Sequence, residues 1–275
     1  MSIFEALMLG VVQGITEFLP VSSSGHLVLL QRIFGITEPA MAFNIAVHVG
    51  TLAAVLVVLW QDIWGLLKRI VQPLTLFAII GTLPAVVIAL LFKDHIEKAF
   101  GGSETLGFAF LVTSVLLIAS DKLYRGGKKL NTPAVPRPQS AMTWKDALFI
   151  GILQAVAIIP GVSRSGATIS AALSRRLDRD FAARFSFLLS IPAILGGLVL
   201  YLKDFIKAAG APAGEGAISL LPILVGCISA GIVGFFSIRF TIKIVRERSL
   251  TGFAVYTAIV GVLVIIDQFG TNFIF

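Results

Sequence analysis

The sequence predicts an all-α polytopic membrane protein built as an inverted-topology repeat. Each half would combine a re-entrant hairpin, made of a broken helix, with three transmembrane helices. The composition, the spacing of apolar stretches and an internal repeat support this class. Of the 275 residues, 57% are hydrophobic and 13% are charged, with a mean hydropathy of +0.95, whereas soluble domains usually carry about 25% charged residues. Too little polar surface exists to cover a water-soluble globule.

Six apolar stretches approach the roughly 20 residues that a helix needs to cross the hydrocarbon core. They are 43–60, 74–92, 104–120, 185–202, 218–239 and 252–268. Two further apolar segments, 5–30 and 147–173, are interrupted by Pro, Gly and Ser. Broken backbone at membrane depth is tolerated only where protein or a polar cavity surrounds it. We therefore predict that both segments are hairpins of two half-helices.

The two halves of the chain repeat polar and glycine positions at one shared offset. Gly10, Gln13, Val21, Ser22, Ser24 and Gly25 fall on Gly151, Gln154, Val162, Ser163, Ser165 and Gly166. The predicted organisation is one membrane domain over 1–275, with repeat one at 1–125, a linker at 126–145 and repeat two at 146–275. Three crossings per half is an odd number, so the second half enters from the opposite face, as in many transporters.

Most Lys and Arg residues lie in loops that this topology places on one face, at 61–73, 121–146, 175–184 and 239–250. By the positive-inside rule that face is cytoplasmic, and both termini and the mouth of the first hairpin face outward. The net charge of +7 therefore reflects topology, and no basic stripe predicts nucleic-acid binding. The single cysteine, Cys227, has no disulfide partner and is predicted to be a small buried residue. The N-terminus lacks the charged region of a cleavable signal peptide.

The first hairpin carries an acid beside a run of serines. Gln13 and Glu17 lie four residues apart, on one helix face, and a carboxylate at membrane depth is by default a functional hypothesis. The alternative is that Glu17 only caps the turn. Ser22-Ser23-Ser24-Gly25-His26 follows, where a half-helix N-terminus would offer N–H groups and a positive dipole end to a phosphate.

The three histidines differ in their surroundings. His26 could exchange a proton near neutral pH, bind a metal, or only bond the backbone. His48 lies within the first full span, where it could approach the site or simply pack. His95 stands in a polar loop and is predicted to be solvated.

The second hairpin carries Arg164, whose guanidinium presents a fixed fork of donors suited to phosphate oxygens. Because the hairpins enter from opposite faces, we expect their tips to meet, so that Glu17 and Arg164 form one site. The alternative is that the two residues form only a structural ion pair. The polar residues and the glycine that flank Arg164 favour a binding site, because an ion pair alone would not require them. They are Ser163, Ser165, Gly166 and Thr168. Other charges are interpreted as cytoplasmic anchors (Arg175, Arg176, Arg246, Arg248) or as interfacial acids (Asp121, Asp267).

Segments 13–26 and 160–168 closely resemble the two signature motifs of the bacterial undecaprenyl-diphosphatase family, the bacitracin-resistance type. The resemblance extends over essentially the whole chain. It implies a phosphohydrolase of the bacterial cytoplasmic membrane, and the distribution of Lys and Arg predicts that its active site faces the periplasm. Such an enzyme converts the polyprenyl lipid undecaprenyl diphosphate to the monophosphate and so recycles the carrier for peptidoglycan synthesis. A homodimer is the candidate assembly. The family's first motif begins with an acid or an amide; here it is Gln13, so Glu17 is the only motif carboxylate.

The same resemblance and the residue pattern suggest roles. Ser23, with His26 as the alternative, attacks the terminal phosphorus, Glu17 is the base or orienter, and Arg164 stabilises charge. These four are the catalytic candidates. The phosphate-binding candidates are Gln13, Ser22, Ser24, Gly25, Ser163, Ser165, Gly166 and Thr168. No metal ligand is assigned, although Mg²⁺ or Ca²⁺ could bridge diphosphate oxygens.

Other chemistries are less well supported by the sequence. The lipid-phosphatase superfamily needs a histidine where Ser170 stands, and Val233 occupies the arginine position of a Cys-x5-Arg motif. A secondary transporter or lipid flippase shares the inverted-repeat architecture and remains the alternative function. The resemblance of the two motifs favours phosphoryl chemistry.

Overall fold

The computed structural model describes residues 1–36, 41–92, 105–125, 135–210, 220–271 and 273–274, without the side chains of 41, 125 and 200–210. Within these residues the backbone is helical apart from turns and one isolated bridge between Arg137 and Leu177. This agrees with the predicted all-α class. His95, predicted to be solvated, lies outside the described residues.

The described part of the first half contains six helices. They are α1 (Ile3–Thr16), α2 (Ser23–Ile33), α3 (Met41–Val58), α4 (Trp60–Lys68), α5 (Pro73–Leu91) and α6 (Leu106–Arg125). A short 3-10 turn at Gln139–Ala141 precedes the second half. The helices that follow are α7 (Trp144–Val156), α8 (Arg164–Ser174), α9 (Arg179–Gly210), α10 (Leu220–Glu247) and α11 (Thr251–Ile266), the last continuing as a π-turn at Asp267–Thr271.

Among the described residues, five helices are long and apolar enough to cross a membrane: α5, α6, α9, α10 and α11. The pair α3 and α4, which bend by 74° at their junction, is apolar and long enough for a sixth crossing when the two helices are counted as one span. The protein is therefore a multi-pass membrane protein. The predicted loops 175–184 and 239–250 were wrong in extent, because α9 begins at Arg179 and α10 runs to Glu247. These helices continue past their apolar stretch into a charged segment, where hydropathy no longer marks them.

Both predicted hairpins are present. Helices α1 and α2 flank one break, and α7 and α8 flank the other. Each hairpin packs on a full span of the other half, α1 on α10 and α7 on α5. Small residues allow the close approach: a Cβ added to Gly10 would lie 2.4 Å from the Gly226 carbonyl oxygen, and one added to Gly151 would lie 2.6 Å from that of Gly81. The division into repeats at 125 and 146 stays a prediction.

Buried acids join helix ends on the face predicted to be cytoplasmic. Asp146 binds Arg137 at 2.8 Å and Arg175 at 2.7 Å, and Asp121 binds Arg179 at 2.8 Å. Burial acts to raise the pKa of the Asp146 carboxyl, but hydrogen bonds from its arginines and from Thr143 outweigh it and hold that pKa well below its usual range. Arg175 therefore binds a protein carboxylate instead of acting only as a surface anchor.

Cys227, predicted to be buried, is instead half-buried on α10. Every fourth residue along one side of this helix is exposed, and Ile228, beside Cys227, is 59% exposed. A cysteine near the edge of the buried stripe keeps part of its surface open. The sequence pattern alone did not resolve which edge of the stripe it occupies.

Candidate active site

Glu17 lies at the C-cap of α1, buried between the two hairpin tips. Its Oε2 accepts a hydrogen bond from the Ser23 hydroxyl at 2.6 Å and another from Gln13 Nε2 at 3.1 Å. Its Oε1 accepts one from Arg164 at 2.8 Å. The expected meeting of the two tips is therefore observed. Glu17 does not simply cap its own turn, because its partners include one from the other hairpin.

Arg164 is the first residue of α8. Besides its bond to Glu17, the guanidinium donates to the Ser186 carbonyl oxygen at 3.2 Å. A guanidinium has five N–H donors, so donors remain beyond these two bonds. The side chain is 15% exposed. Arg164 is thus anchored on one side and able to bind an anion on the other.

The half-helices that carry Ser23 and Arg164 begin in the same way. Ser22 caps α2 by accepting the Gly25 N–H at 3.2 Å, and Ser163 caps α8 by accepting the Gly166 N–H at 3.0 Å. In each case the next residue, Ser23 or Arg164, opens the helix. The N-terminus of a helix favours negative charge through its free N–H groups and dipole. Two such termini meet near Glu17.

Ser24 and Ser165 connect the hairpins reciprocally. The Gly161 N–H donates to the Ser24 hydroxyl at 3.2 Å, and the Ser165 hydroxyl donates to the Leu19 carbonyl oxygen at 3.0 Å. Each serine therefore binds the turn of the opposite hairpin. Their proposed role in phosphate binding stays a prediction, and in this structure their hydroxyls hold the two tips together.

The remaining phosphate-binding candidates support the backbone of the tips. The Thr168 hydroxyl donates to the Arg164 carbonyl oxygen at 2.9 Å and lies 2.6 Å from the Ser186 hydroxyl. A Cβ added at Gly25 would lie 2.5 Å from the Phe110 ring, so this position admits no side chain without a shift. These contacts fix where Arg164 and Ser23 stand.

His26 is held at both ring nitrogens. Its Nδ1 lies 2.6 Å from the Ser22 carbonyl oxygen and its Nε2 lies 2.7 Å from the Tyr256 hydroxyl. A carbonyl oxygen only accepts, so Nδ1 carries the proton, and in the neutral ring Nε2 accepts from Tyr256. Neither nitrogen of His26 is free in this arrangement.

His48 lies close to the site. The sequence had left open whether this residue approaches the site or only packs within its span. Its Nδ1 donates to the Asn44 carbonyl oxygen at 2.7 Å, which turns Nε2 toward Glu17 at 3.7 Å from Oε2. The His48 side chain is 33% exposed, against 7% for Glu17. The imidazole thus lies between the buried carboxylate and the surroundings of the protein.

The donor atoms of the site do not form a cage for a resident cation. No group of three His, Cys, Asp or Glu side chains converges anywhere in the described part of the chain. Both oxygens of Glu17 already bind hydrogen-bond donors, one of them a guanidinium. A hard cation such as Mg²⁺ needs several oxygen ligands, and here most would have to come from the substrate and water.

Comparison with known proteins identifies the family of this chain. The family model described as bacitracin resistance protein BacA matches residues 6–263. The chain belongs to the BacA family. Among curated relatives of this BacA-family chain, the undecaprenyl-diphosphatase of Carboxydothermus hydrogenoformans is 45% identical over 273 residues, covering 99% of this chain and all of that protein. The undecaprenyl-diphosphatase of Halothermothrix orenii is 41% identical, with 97% and 98% covered, and undecaprenyl-diphosphatase 3 of Bacillus cereus is 41% identical, with 98% of each covered.

Three residues that contact the site in this BacA-family chain were not predicted. Tyr256 bonds His26, Ser186 supports Arg164 and Thr168, and the Thr113 hydroxyl accepts the Ser163 N–H at 3.0 Å. Tyr256 left a usable signal, since its hydroxyl is a polar tip inside an apolar span. Ser186 and Thr113 left none, because isolated hydroxyls in membrane helices usually bond their own backbone.

Proposed function

We propose that this chain hydrolyses undecaprenyl diphosphate to undecaprenyl phosphate and inorganic phosphate, and thereby recycles the lipid carrier of peptidoglycan synthesis. The named relatives support the reaction. The observation that carries the proposal is the Glu17 carboxylate, which joins the Ser23 hydroxyl to the Arg164 guanidinium. A base, a nucleophile and an anion binder thus converge at one point.

In the first step, the Ser23 hydroxyl oxygen attacks the terminal phosphorus. The Oγ–P bond forms as the bond from phosphorus to the bridging oxygen breaks, and the electron pair leaves with undecaprenyl monophosphate. The Ser23 proton passes to Glu17 Oε2, which already accepts its hydrogen bond at 2.6 Å. A base at hydrogen-bonding distance typically contributes about 10²–10⁴ in rate.

The same groups stabilise the transferring phosphoryl group. Arg164 offers its remaining N–H donors, and the N-termini of α2 and α8 offer backbone N–H groups. Such donors act strongly because Arg164 and Glu17 are largely buried, at 15% and 7% exposure, and because Ser186 and Thr168 hold the first turn of α8 in place. A divalent cation bound to the diphosphate oxygens would further neutralise their charge.

The second step hydrolyses the phosphoserine. Glu17 must first lose the proton it gained, and His48 Nε2, 3.7 Å from Oε2 and partly exposed, is an acceptor within reach. The free carboxylate then takes a proton from water, whose oxygen attacks phosphorus, and returns that proton to Ser23 as the Oγ–P bond breaks. We favour Ser23 over His26 as nucleophile because both nitrogens of His26 are engaged.

Location and assembly belong to the same proposal. The distribution of Lys and Arg supports insertion in the bacterial cytoplasmic membrane with the mouth of the first hairpin toward the periplasm. A periplasmic site would meet the diphosphate lipid where cell-wall assembly releases it. A homodimer stays a prediction.

Phosphate release from undecaprenyl diphosphate by the purified protein in detergent tests the proposal. We expect Glu17→Gln, Ser23→Ala and Arg164→Ala each to lower turnover by about 10²–10³ or more. The exposed pair formed by Arg246 and Glu247 at 3.1 Å provides matched controls, Glu247→Gln and Arg246→Ala, which should stay near wild type. A transporter would release no phosphate, and turnover of the site variants within threefold of wild type would also refute the proposal.

The nucleophile can be identified separately by trapping the enzyme after reaction with substrate labelled in its terminal phosphate. Phosphoserine survives acid, whereas phosphohistidine is lost in acid and survives alkali. We expect an acid-stable label on the peptide that carries Ser23, absent from Ser23→Ala and retained by His26→Ala. An acid-labile label on His26 would reverse the assignment.

A further inference from the structure

A lateral groove begins at the tip of the first hairpin. Its volume is about 480 Å³, and its walls come from the end of α1, the turn after it, the end of α10 and the start of α11. The lining is largely apolar and includes Ile15, Leu19, Val21, Phe253 and Tyr256. Ile15 is 40% exposed and Tyr256 is 45% exposed, so the groove opens sideways to the surroundings of the helices.

The groove lies next to the candidate active site, and two of its wall residues bond residues of that site. Tyr256 forms part of its wall and also bonds His26 Nε2 at 2.7 Å. Leu19, another wall residue, accepts the Ser165 hydroxyl through its carbonyl oxygen. Ile15 and Leu19 flank Glu17 in the chain. One layer of residues therefore separates the groove from the polar tip where Glu17, Ser23 and Arg164 meet.

A lipid diphosphate bound at that tip has to place its hydrocarbon chain against apolar surface. The tip is lined by hydroxyls and charges, which hydrocarbon does not contact favourably. The groove offers an apolar wall next to the tip, and one of its residues, Tyr256, bonds His26 of the signature motif. Burial of one side-chain-sized apolar group typically strengthens binding by roughly tenfold or more, enough to affect which substrates bind.

We propose that this groove binds the first isoprenoid units of the substrate, with Tyr256 at the boundary between diphosphate and chain. The inference rests on the proposed function and adds a chain-binding subsite to it. In this arrangement the polar residues at the tip recognise the diphosphate. The groove recognises the flexible branched hydrocarbon that is attached to the diphosphate.

Gly252 allows a clean test. It lines the groove on the first turn of α11, and a Cβ built there meets nothing within 4 Å. A side chain can therefore start at this position without a contact at its Cβ, and the indole of Gly252→Trp is expected to occupy the groove. Gly197→Trp is the matched control, because Gly197 also lies in a helix, also has open space and lies outside the groove.

The measurement is kcat/KM for farnesyl diphosphate, with fifteen carbons, and isopentenyl diphosphate, with five. We expect the wild type to prefer the longer chain and Gly252→Trp to lose roughly tenfold or more of that preference. Hydrolysis of isopentenyl diphosphate, which places only one isoprenoid unit in the groove, should fall less than that of farnesyl diphosphate, and Gly197→Trp should behave as wild type. An unchanged preference in Gly252→Trp would mean that bulk lipid fills the groove, and equal losses on both substrates would mean a disturbed site; either result overturns the inference.

The location can be checked with a farnesyl diphosphate analogue that carries a photoreactive group on its chain. Irradiation should label the peptide containing Phe253 and Tyr256, and the label should disappear in Gly252→Trp but persist in Gly197→Trp. Labelling elsewhere, with phosphate release intact, overturns the groove and leaves the proposed function standing. Absence of phosphate release from every polyprenyl diphosphate by the wild type refutes the proposed function, and the subsite with it.

Discussion

At the scale of single residues, the two oxygens of Glu17 have different partners. Oε1 faces Arg164, and Oε2 faces Ser23, Gln13 and His48. An isolated carboxylate at membrane depth is costly, and the guanidinium provides the compensating charge on one side. The other oxygen is left to accept protons. One residue can therefore be both a buried ion-pair partner and a base.

Tyr256 provides a prediction at the same scale. Tyr256→Phe keeps the ring stacked on His26, at 5.7 Å between centroids, but removes the hydrogen bond to Nε2. Because a single hydrogen bond typically contributes about 0.5–1.5 kcal/mol, we expect turnover to fall by roughly threefold to tenfold. A cycle with His26→Ala checks the cause, since Tyr256→Phe should have little further effect once His26 is absent. Additive losses would show that Tyr256 acts independently of His26.

At the scale of elements, each hairpin turn depends on backbone that few residues adopt. Ser22, the cap of α2, has a φ of 75°, and Gly161, before α8, has a φ of 92°. These turns bring the serine caps and the first helical residues into position. The strain at Ser22 is retained because its hydroxyl and its carbonyl oxygen both serve the site.

Gly161→Ala tests the turn of the second hairpin. A Cβ at Gly161 would lie 2.8 Å from both Ala109 and Leu106, in addition to the cost of a positive φ. Gly35 is the matched control, since its φ is 71° but its surroundings are open. We expect Gly35→Ala to cost about 1–2 kcal/mol of stability, and Gly161→Ala to cost more and also lower turnover. Thermal unfolding in detergent and the phosphate assay measure both, and equal effects would contradict a role for the close contact.

At the scale of the whole molecule, two arrangements connect distant parts of the chain. The hairpins pack on spans of the opposite half, α1 on α10 and α7 on α5. The charged clusters around Asp146 and Asp121 join the ends of helices and the segment before α7 on one face. The tips of the hairpins are therefore positioned by the fold as a whole, because neither half alone supplies both Glu17 and Arg164.

Asp146→Asn tests one of these clusters. The buried carboxylate accepts hydrogen bonds from Arg137, Arg175 and Thr143, so we expect a loss of about 1–3 kcal/mol at neutral pH. Because the pKa of this carboxyl is lowered in the folded protein, its contribution is complete above about pH 4, the ordinary value, and decreases as the pH falls below that. The difference in unfolding free energy between wild type and Asp146→Asn should thus be constant from pH 7 to 5 and become smaller in stronger acid.

Thermal unfolding at several pH values provides the measurement. Asp180→Asn is the control, because Asp180 is 31% exposed and its partner Arg184 also binds Asp62. We expect a small effect on stability at neutral pH for that variant, because the Asp180 side chain is partly exposed. If the stability difference between wild type and Asp146→Asn becomes larger in acid, the assigned direction of the Asp146 pKa shift is wrong.

Orientation can be tested by labelling single cysteines in a Cys227→Ser background. Ser140→Cys lies in the exposed 3-10 turn before α7, and Ile33→Cys lies on the exposed end of α2. Since the first position is predicted to be cytoplasmic and the second periplasmic, an impermeant maleimide should label Ile33→Cys in intact cells. Ser140→Cys should react only after permeabilisation, and the opposite pattern would reverse the topology.

The sequence by itself determined the membrane class, the two broken hairpins and the pairing of Glu17 with Arg164. Hydropathy reports the first directly, because lipid requires apolar surface. Pro, Gly and Ser inside apolar segments predicted the two hairpins. The two intramembrane charges of opposite sign predicted the pairing, because an unpaired charge is poorly tolerated in a membrane. Helix ends outside the apolar stretches, such as the start of α9 at Arg179, were not predicted, because hydropathy does not distinguish a polar helix from a polar loop.

Only the tertiary structure decided which hydroxyls surround the site and what each one holds. Ser24 and Ser165 look equivalent to Ser23 in the sequence, yet their hydroxyls bond the opposite turn, whereas that of Ser23 bonds Glu17. Tyr256 lies 230 residues from His26 and still contacts it. A hydroxyl has the same chemistry wherever it stands, and its partner is set by the angle at which two helices meet, which no local pattern encodes.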